Sequence, residues 1–403
     1  MENSTIINTS LHLNFLFVIL ISVSLLFLGE PEALIYTTIF GVVILVIAGA
    51  DKYKRKSIPY YISILFCITL LTVIIGLRDF GIGTDTDVYI KPFFYNTKWI
   101  HNISDFISTD GDLGFVLLAF ISKSFSDDPQ SLLVITELWI CLFTFAGIHE
   151  INSKYKRVEW TTFLLLWLFT FLNASMNLMR QYCAMAMLLL AFAFLLNNKW
   201  KKAIVLQVLS YFFHSSAIIF VPIFGILYLS KWENRKRRNL YTAILLLFAL
   251  LLITQIFIVL PFLANIGIIS NLYADRYGID SDYSSTNIFG VGIITLYVLG
   301  YLLIFKSVKE GILKENEAYI AFCIHTLFFI LRLLAFYVGY LSRLSAYYYY
   351  IDIFMISIIL SHNRIPLWLK CGYYICILYL WYKEYILMPG GYTYPFKSTI
   401  LGI

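Results

Sequence analysis

The chain has 403 residues, 60% of them hydrophobic and only 13% charged, with a mean hydropathy of +0.79. A soluble domain carries about 25% charged residues, so this chain cannot clothe itself in a water-compatible surface and reads as an all-α polytopic integral membrane protein, a single domain over 1–403. Its formal net charge of +6 sits in short loops between apolar runs, so topology accounts for it and no nucleic-acid partner is expected.

Residues Met1 to Asn14 lack a basic n-region, and the apolar run behind them has no small-residue cleavage signal, which predicts a retained first helix. Apolar runs follow near 12–29, 33–50, 58–77, 131–149, 159–176, 178–196, 239–261, 288–306, 318–338, 344–361 and 371–388. Each approaches the roughly 20 residues that a bilayer needs, and with the stretch 203–230 they predict about 12–13 transmembrane helices. That stretch has Lys199, Lys201 and Lys202 on one side and Lys231 and Arg235 to Arg238 on the other. With both flanks on one membrane face, each arm is only ~21 Å long at 1.5 Å per residue, so a short re-entrant or broken hairpin is expected, turning near His214-Ser215-Ser216. The apolar piece 113–125 is too brief to cross and reads as interfacial. The six cysteines all lie in apolar segments without Cys-x-x-Cys spacing, which argues against a disulfide framework or a zinc site.

Placing the loops 51–57, 150–158, 197–202, 231–238, 306–317 and 362–370 in the cytoplasm gathers most of the 30 Lys and Arg there. The outer side then receives 78–130, a second outer loop at 262–287, and the tail after Met388.

The stretch Gly76 to Tyr89 changes the character of the chain, with an arginine, three aspartates, two threonines and three glycines after twenty almost wholly apolar residues. Arg78, Arg180, Arg332 and Arg343 lie within or at the outer ends of apolar helices. An ionised side chain in a span costs about 2.5–3.5 kcal/mol on insertion scales, so such residues face a polar cavity or a partner. Arginine suits bidentate recognition of phosphate or carboxylate; snorkelling, or an ion pair with Glu137 or Asp352, is the bland account. Asn173, Asn177 and Arg180 share one helical face, as do Gln207, Ser210 and His214. His214 at a hairpin apex is either a hydrogen-bonded packing residue or a base for a sugar hydroxyl. Asp85 and Asp87 flank Thr86 in a glycine-bearing loop, where such groups often only satisfy local backbone. Their functional readings are base, sugar acceptor or ligand of a hard divalent cation, a weak metal signal that leaves the cation open. His325 and Arg332 are placed to continue an inner cavity, and Tyr347 to Tyr350 read as an aromatic belt or a sugar-stacking surface.

On these residues the chain resembles the EpsG-like and Wzy-type polysaccharide polymerases of bacterial envelopes. The resemblance rests on Arg78, Gly81, Gly83-Thr84-Asp85 and Tyr89, then Arg180-Gln181 opening a small-residue helix with Ala184 and Ala186, then His214-Ser215-Ser216-Ala217, then Arg343 before a Tyr-rich helix. It covers roughly 60–360; Asp87 and the loop 262–287 have no counterpart in the family pattern. It implies a GT-C-like bundle that performs inverting glycosyl transfer on the outer, periplasmic face of the bacterial inner membrane, moving a glycan from undecaprenyl diphosphate onto the next lipid-linked repeat unit of an O-antigen or related polysaccharide. Expected partners are undecaprenyl-diphosphate-linked glycans and membrane lipids, with a chain-length regulator and a flippase nearby, and no cofactor is needed. The catalytic residues expected are His214, Asp85 and Arg180; the substrate-binding ones are Arg78, Thr84, Asp87, Tyr89, Asn177, Gln181, Arg332 and Arg343. An O-antigen ligase, with another acceptor, and a non-enzymatic flippase of lipid-linked sugars are the rival readings.

Overall fold

The computed structural model describes residues 18–19, 22, 30–53, 57–101, 105–106, 112–152, 158–254, 291–335, 340–388 and 390–403. Most of the expected first helix and the whole loop 262–287 lie outside the described residues. Among the described residues the protein is all-α, with no strand. The helices are α1 (Leu34–Lys52), α2 (Ile58–Gly76), α3 (Lys91–Asn96), α4 (Leu113–Phe125), α5 (Gln130–Ile151), α6 (Trp160–Trp167), α7 (Asn173–Asn177), α8 (Met179–Leu196), α9 (Trp200–Phe213), α10 (Val221–Leu229), α11 (Arg235–Thr254), α12 (Val291–Lys309), α13 (Glu315–Leu334), α14 (Tyr340–Leu360) and α15 (Leu367–Trp381).

Seven of the described helices, α1, α2, α5, α8, α12, α13 and α14, are long and apolar enough to cross a membrane. Part of the expected count of about 12–13 falls on residues outside those described, and among the described residues several apolar runs are helical but broken. Run 159–176 becomes α6, a π-helical turn Leu168–Leu172, and α7, pieces of 8, 5 and 5 residues. The chain then reverses at Leu178 (φ −93°, ψ 46°) straight into α8. Run 371–388 is α15 followed by a second π-helical segment, Tyr382–Leu387. Stretch 203–230 is α9, a 3₁₀ turn Ser215–Phe220, and α10.

The basic loops come together at one end of the bundle. Lys199 Nζ pairs with Glu150 Oε1 at 2.6 Å, Lys231 Nζ donates to Asn198 Oδ1 at 2.7 Å, and Arg238 Nη2 reaches Glu315 Oε1 at 3.1 Å. Asp51 at the end of α1 accepts from the backbone N–H of Trp160 (2.8 Å) and Thr161 (3.0 Å), a remote carboxylate cap on the first turn of α6. At the C-terminus of α8, Asn198 takes φ 61°, and Lys199 N–H returns to Phe194 O (2.8 Å), closing a Schellman turn. Both arms of the α9–α10 hairpin therefore start from the basic end, and His214 lies at their far turn.

α8 is the buried axis, lined with Ala184, Ala186, Ala191 and Ala193 and packed against α5, α9 and α14. Small residues allow the close helix approach that apolar solvent cannot drive by itself. The crossing of α2 on α5 is close as well: a Cβ on Gly76 would sit 2.7 Å from Val134 Cα on α5, a backbone atom that no side-chain shift relieves. The short helix α4 presents exposed Leu117, Phe120 and Phe125 while Gly114 packs on Phe213, which fits an interfacial helix.

Replacing Gly76 by Val forces α2 and α5 apart, and overpacking of this kind costs ~1–3 kcal/mol. A lower midpoint of thermal unfolding in detergent, followed by intrinsic tryptophan fluorescence, is the expected result; Gly81→Val, with no atom within 4 Å of the added Cβ, serves as the silent control.

Candidate active site

The stretch following α2 is fastened before it presents anything to a substrate. Arg78 is completely buried, with Nη1 donating to Ile75 O (2.8 Å) and Glu137 Oε1 (3.1 Å). Its Nη2 donates to Met176 O (3.0 Å) and Met179 Sδ (3.2 Å), so one guanidinium ties α2, α5 and the α7–α8 junction together. Gln130 Nε2 holds the carbonyls of Gly76 (2.7 Å) and Arg78 (3.0 Å). The tail 390–403 lies along the same stretch: Asp79 N–H donates to Lys397 O (2.9 Å), and the Asp79 carboxylate accepts from Thr399 N (2.7 Å) and Oγ1 (2.9 Å).

Gly83 is obligatory. Its φ of +91° lies in the left-handed region, and a Cβ there would come within 2.6 Å of Met176 O. Its N–H donates to Tyr392 O at 3.0 Å. Pressed so closely onto α7, the loop meets Asn177, whose Oδ1 accepts from Thr84 Oγ1 (2.6 Å) and from Asp85 N–H (3.1 Å). Thr84 and Asn177 thus orient the backbone of Asp85.

A small polar pocket of about 20 Å³ is lined by Asp85, Tyr89, Leu178, Met179, Arg180, Gln181, His214 and Arg343. Arg180 lies over the Tyr89 ring, 3.8 Å from its centroid, and Nη1 donates to Asp112 Oδ2 at 2.8 Å. Gln181 Nε2 donates to the Arg343 carbonyl at 2.7 Å and fixes the start of α14 against α8. His214 Nδ1 receives the Ser216 N–H at 3.3 Å and lies 2.6 Å from Ser216 Oγ, which in turn lies 2.9 Å from the Tyr347 hydroxyl. A backbone N–H can only donate, so Nδ1 turns its lone pair that way and the neutral ring carries its hydrogen on Nε2. In this arrangement His214 offers Nε2 as a donor. Gln207 and Ser210 serve the hairpin itself, through Gln207 Nε2 to Ala217 O (3.0 Å) and Ser210 Oγ to Gln207 O (2.8 Å).

A family model described as the EpsG family matches residues 61–398, nearly the whole of this arrangement. The chain belongs to the EpsG family. Neither curated proteins nor solved structures give a match. This EpsG-family protein is therefore a multi-pass membrane protein of a family implicated in exopolysaccharide biosynthesis.

Of the residues singled out in sequence, the EpsG-family pocket gathers Asp85, Tyr89, Arg180, Gln181, His214 and Arg343, with Thr84 and Asn177 directly behind. Arg78 is not on the pocket but beneath it, enclosed with Glu137, so the expected diphosphate contact gives way to the ion pair. Asp87 pairs with Lys91 at 2.7 Å, both half exposed and off the pocket lining, which separates it from Asp85. Arg332 lines a second cavity, together with Arg343. His325 lines neither: fully buried, it lies with Nδ1 2.8 Å from Asp352 Oδ2 and donates from Nε2 to Tyr297 O at 3.1 Å. Among Tyr347 to Tyr350, Tyr347, Tyr348 and Tyr350 are buried in the core, Tyr350 bonded to Thr144 and Trp167, which is neither belt nor sugar surface.

Sequence reasoning passed over Asp112, although the polar run Ser108-Thr109-Asp110-Gly111-Asp112 before an apolar helix was a usable signal. Burial pushes its carboxyl up to about 6, against the pull of Arg180 and the Ser215 backbone N–H. A raised carboxyl takes up its proton as pH falls through about 6, and Arg180 then loses its charged partner. Affinity for farnesyl diphosphate, measured by equilibrium dialysis in detergent, is expected to rise between pH 7 and pH 5 relative to Asp112→Asn, in which Arg180 is free of that charge throughout. Parallel pH profiles for the two proteins would count against the Arg180–Asp112 gate.

Proposed function

We propose that this protein is a membrane glycosyltransferase, a polymerase that joins undecaprenyl-diphosphate-linked oligosaccharide repeat units into a surface polysaccharide at the periplasmic face of the inner membrane. The observation that carries the reading is the convergence of Arg180, Arg343, His214 and Asp85 on one pocket, at the opposite end of the bundle from the basic loops. The basic-loop bias supports placing that pocket outside the cytoplasm.

The chemistry asked of the pocket is displacement of a diphosphate at an anomeric carbon by a sugar hydroxyl, with inversion. The new bond forms between the acceptor oxygen and the anomeric carbon as the bond from that carbon to the diphosphate oxygen breaks. Negative charge grows on the leaving oxygen, and preorganised guanidiniums stabilise it without reorganising at the moment of reaction. Arg180 and Arg343 supply that charge, Tyr89 packs under the Arg180 guanidinium, Gln181 holds the Arg343 backbone, and the Nε2–H of His214 adds a hydrogen bond to the diphosphate or the glycosidic oxygen. The proton of the attacking hydroxyl goes to the Asp85 carboxylate, whose backbone Thr84 and Asn177 orient. In sequence both His214 and Asp85 are candidates for the base, and the hydrogen bond at His214 Nδ1 favours Asp85. Arg78 is a positioning residue in this scheme.

Arg180→Ala, Arg343→Ala and Asp85→Asn are each expected to lower elongation of lipid-linked repeats by purified protein by ~10²–10³-fold at unchanged protein level. In cells the variants should leave surface glycan carrying single repeat units. Loss of even the single-unit band on deletion would point to a ligase, and substrate stranded on the cytoplasmic leaflet to a flippase. Arg78→Ala should instead lower the amount of folded protein, because it strands Glu137 as an unpaired buried charge. Labelling of Asp87→Cys from the periplasm and of Lys201→Cys from the cytoplasm tests the orientation; the opposite pattern overturns the mechanism.

A further inference from the structure

Next to the pocket lies a second cavity of about 190 Å³, against about 20 Å³ for the first. The two share Leu178 and Arg343, so one guanidinium stands in the wall between them. The second chamber sets the half-buried Tyr349 ring beside polar groups from Thr170, Arg332 and Glu384, with the buried Tyr182 and Trp381 also in its wall. Tyr349 is a fixed platform, stacked on Phe328 with ring centroids 4.3 Å apart and planes 10° from parallel. Trp381 is held by its Nε1 donating to Asn173 Oδ1 at 3.0 Å.

The backbone marks this chamber independently. π-helical turns are rare and cluster at functional sites, where the extra residue per turn redirects side chains. Among the described residues there are three: Thr86–Ile90, Leu168–Leu172 and Tyr382–Leu387. The first supplies Tyr89 to the pocket; the second supplies Phe169, Thr170 and Phe171, and the third Glu384 and Tyr385, to the second chamber. Every one of them lines one of the two spaces.

An acyl or prenyl chain has no use for a carboxylate and two guanidiniums in its cavity, and Glu384 between Arg332 and Arg343 gives a lining of mixed charge that suits a neutral polyol. A pyranose suits both parts of the lining, its C–H face on aromatic rings and its hydroxyl rim on charged hydrogen-bonding groups. We propose that this chamber is the acceptor subsite, which takes the terminal sugar of the incoming lipid-linked repeat. Glu384 accepts from the ring hydroxyls, Arg332 donates to them, and Arg343 reaches acceptor and diphosphate together. The proposal rests on the glycosyl-transfer reading of the first pocket and adds Thr170, Tyr349 and Glu384 as residues that select the acceptor.

The test uses the full chain in lipid nanodiscs and two probes: inorganic pyrophosphate, and the free oligosaccharide released by mild acid from the host strain's lipid-linked repeats. Binding is read by tryptophan quenching. Glu384→Gln is expected to weaken oligosaccharide binding by about tenfold, the loss of one charge-assisted hydrogen bond, with pyrophosphate affinity unchanged. Thr170→Val should act in the same direction, and Arg180→Ala should show the converse selectivity. Wild-type oligosaccharide affinity in both Glu384→Gln and Thr170→Val, with unaltered thermal unfolding, overturns the subsite. Wild-type protein that binds pyrophosphate and no oligosaccharide overturns it as well. Oligosaccharide binding that depends on Glu384, in a protein indifferent to pyrophosphate, upholds the subsite and removes the transfer reading beneath it.

Discussion

A guanidinium withdrawn wholly from solvent needs its charge and its terminal hydrogens met, and Arg78 sets that condition on four helices at once. Glu137 on α5 supplies the counter-charge, Ile75 on α2 and Met176 on α7 supply carbonyls, and Met179 on α8 a sulfur. Breaking a buried pair of this kind by removing one partner costs ~3–5 kcal/mol. Met176 O is also the atom that denies Gly83 a side chain. The same carbonyl that satisfies Arg78 therefore fixes the path of the loop carrying Thr84 and Asp85. Only with that path fixed does Asn177 reach both residues.

From this clamp the charges of the site sort by what is left for a ligand. Arg78 has both Nη atoms engaged by protein, with Nε alone left without a partner. Arg180 is engaged on one side by Asp112 and lies on the Tyr89 ring on the other, within the lining of the pocket. Arg343 opens α14 and borders both chambers, with its carbonyl, not its side chain, held by Gln181. Arg78 lies beneath the pocket and Arg180 and Arg343 in its lining, so the pocket adjoins the rigid α7–α8 junction without a substrate having to enter that junction.

Sequence alone carried the fold class, and several of the residues it singled out meet at one pocket, because hydropathy, basic flanks and the polar stripe on α7–α8 are local properties. The hairpin at 203–230 was legible from its lysines and arginines, and His214 does lie at its turn. What spacing cannot tell is what stands opposite. Arg78 and Arg180 look alike in sequence, each an arginine at the mouth of an apolar helix. One meets Glu137, 59 residues on, and the other Asp112, 68 residues back. Glu384 was invisible for a related reason: its place depends on a π-helical turn, and no residue pattern in Tyr382–Leu387 announces one. His325 was misplaced because an i, i+7 relation to Arg332 fixes a shared helical face, whereas Asp352 and Tyr297 draw the imidazole into the core.

The division of labour between His214 and Asp85 follows from one hydrogen-bond direction. Had Nδ1 of His214 faced a carbonyl, it would carry the proton, and Nε2 would be left as a lone pair for an acceptor hydroxyl. It faces the Ser216 N–H instead, which commits Nε2 to donation, the role that a leaving diphosphate uses and an attacking hydroxyl does not. Asp85 has the opposite endowment: an ionised carboxylate only accepts, and its main-chain N–H is already bound to Asn177. On the transfer reading proposed above, cation, donor and acceptor around one space match the charge pattern of the displacement, positive toward the departing oxygen and negative toward the entering hydroxyl. The Ser216 amide then holds the tautomer, because reversing it would set the hydrogen of Nδ1 against that N–H, whereas the Ser216 and Tyr347 hydroxyls can donate or accept.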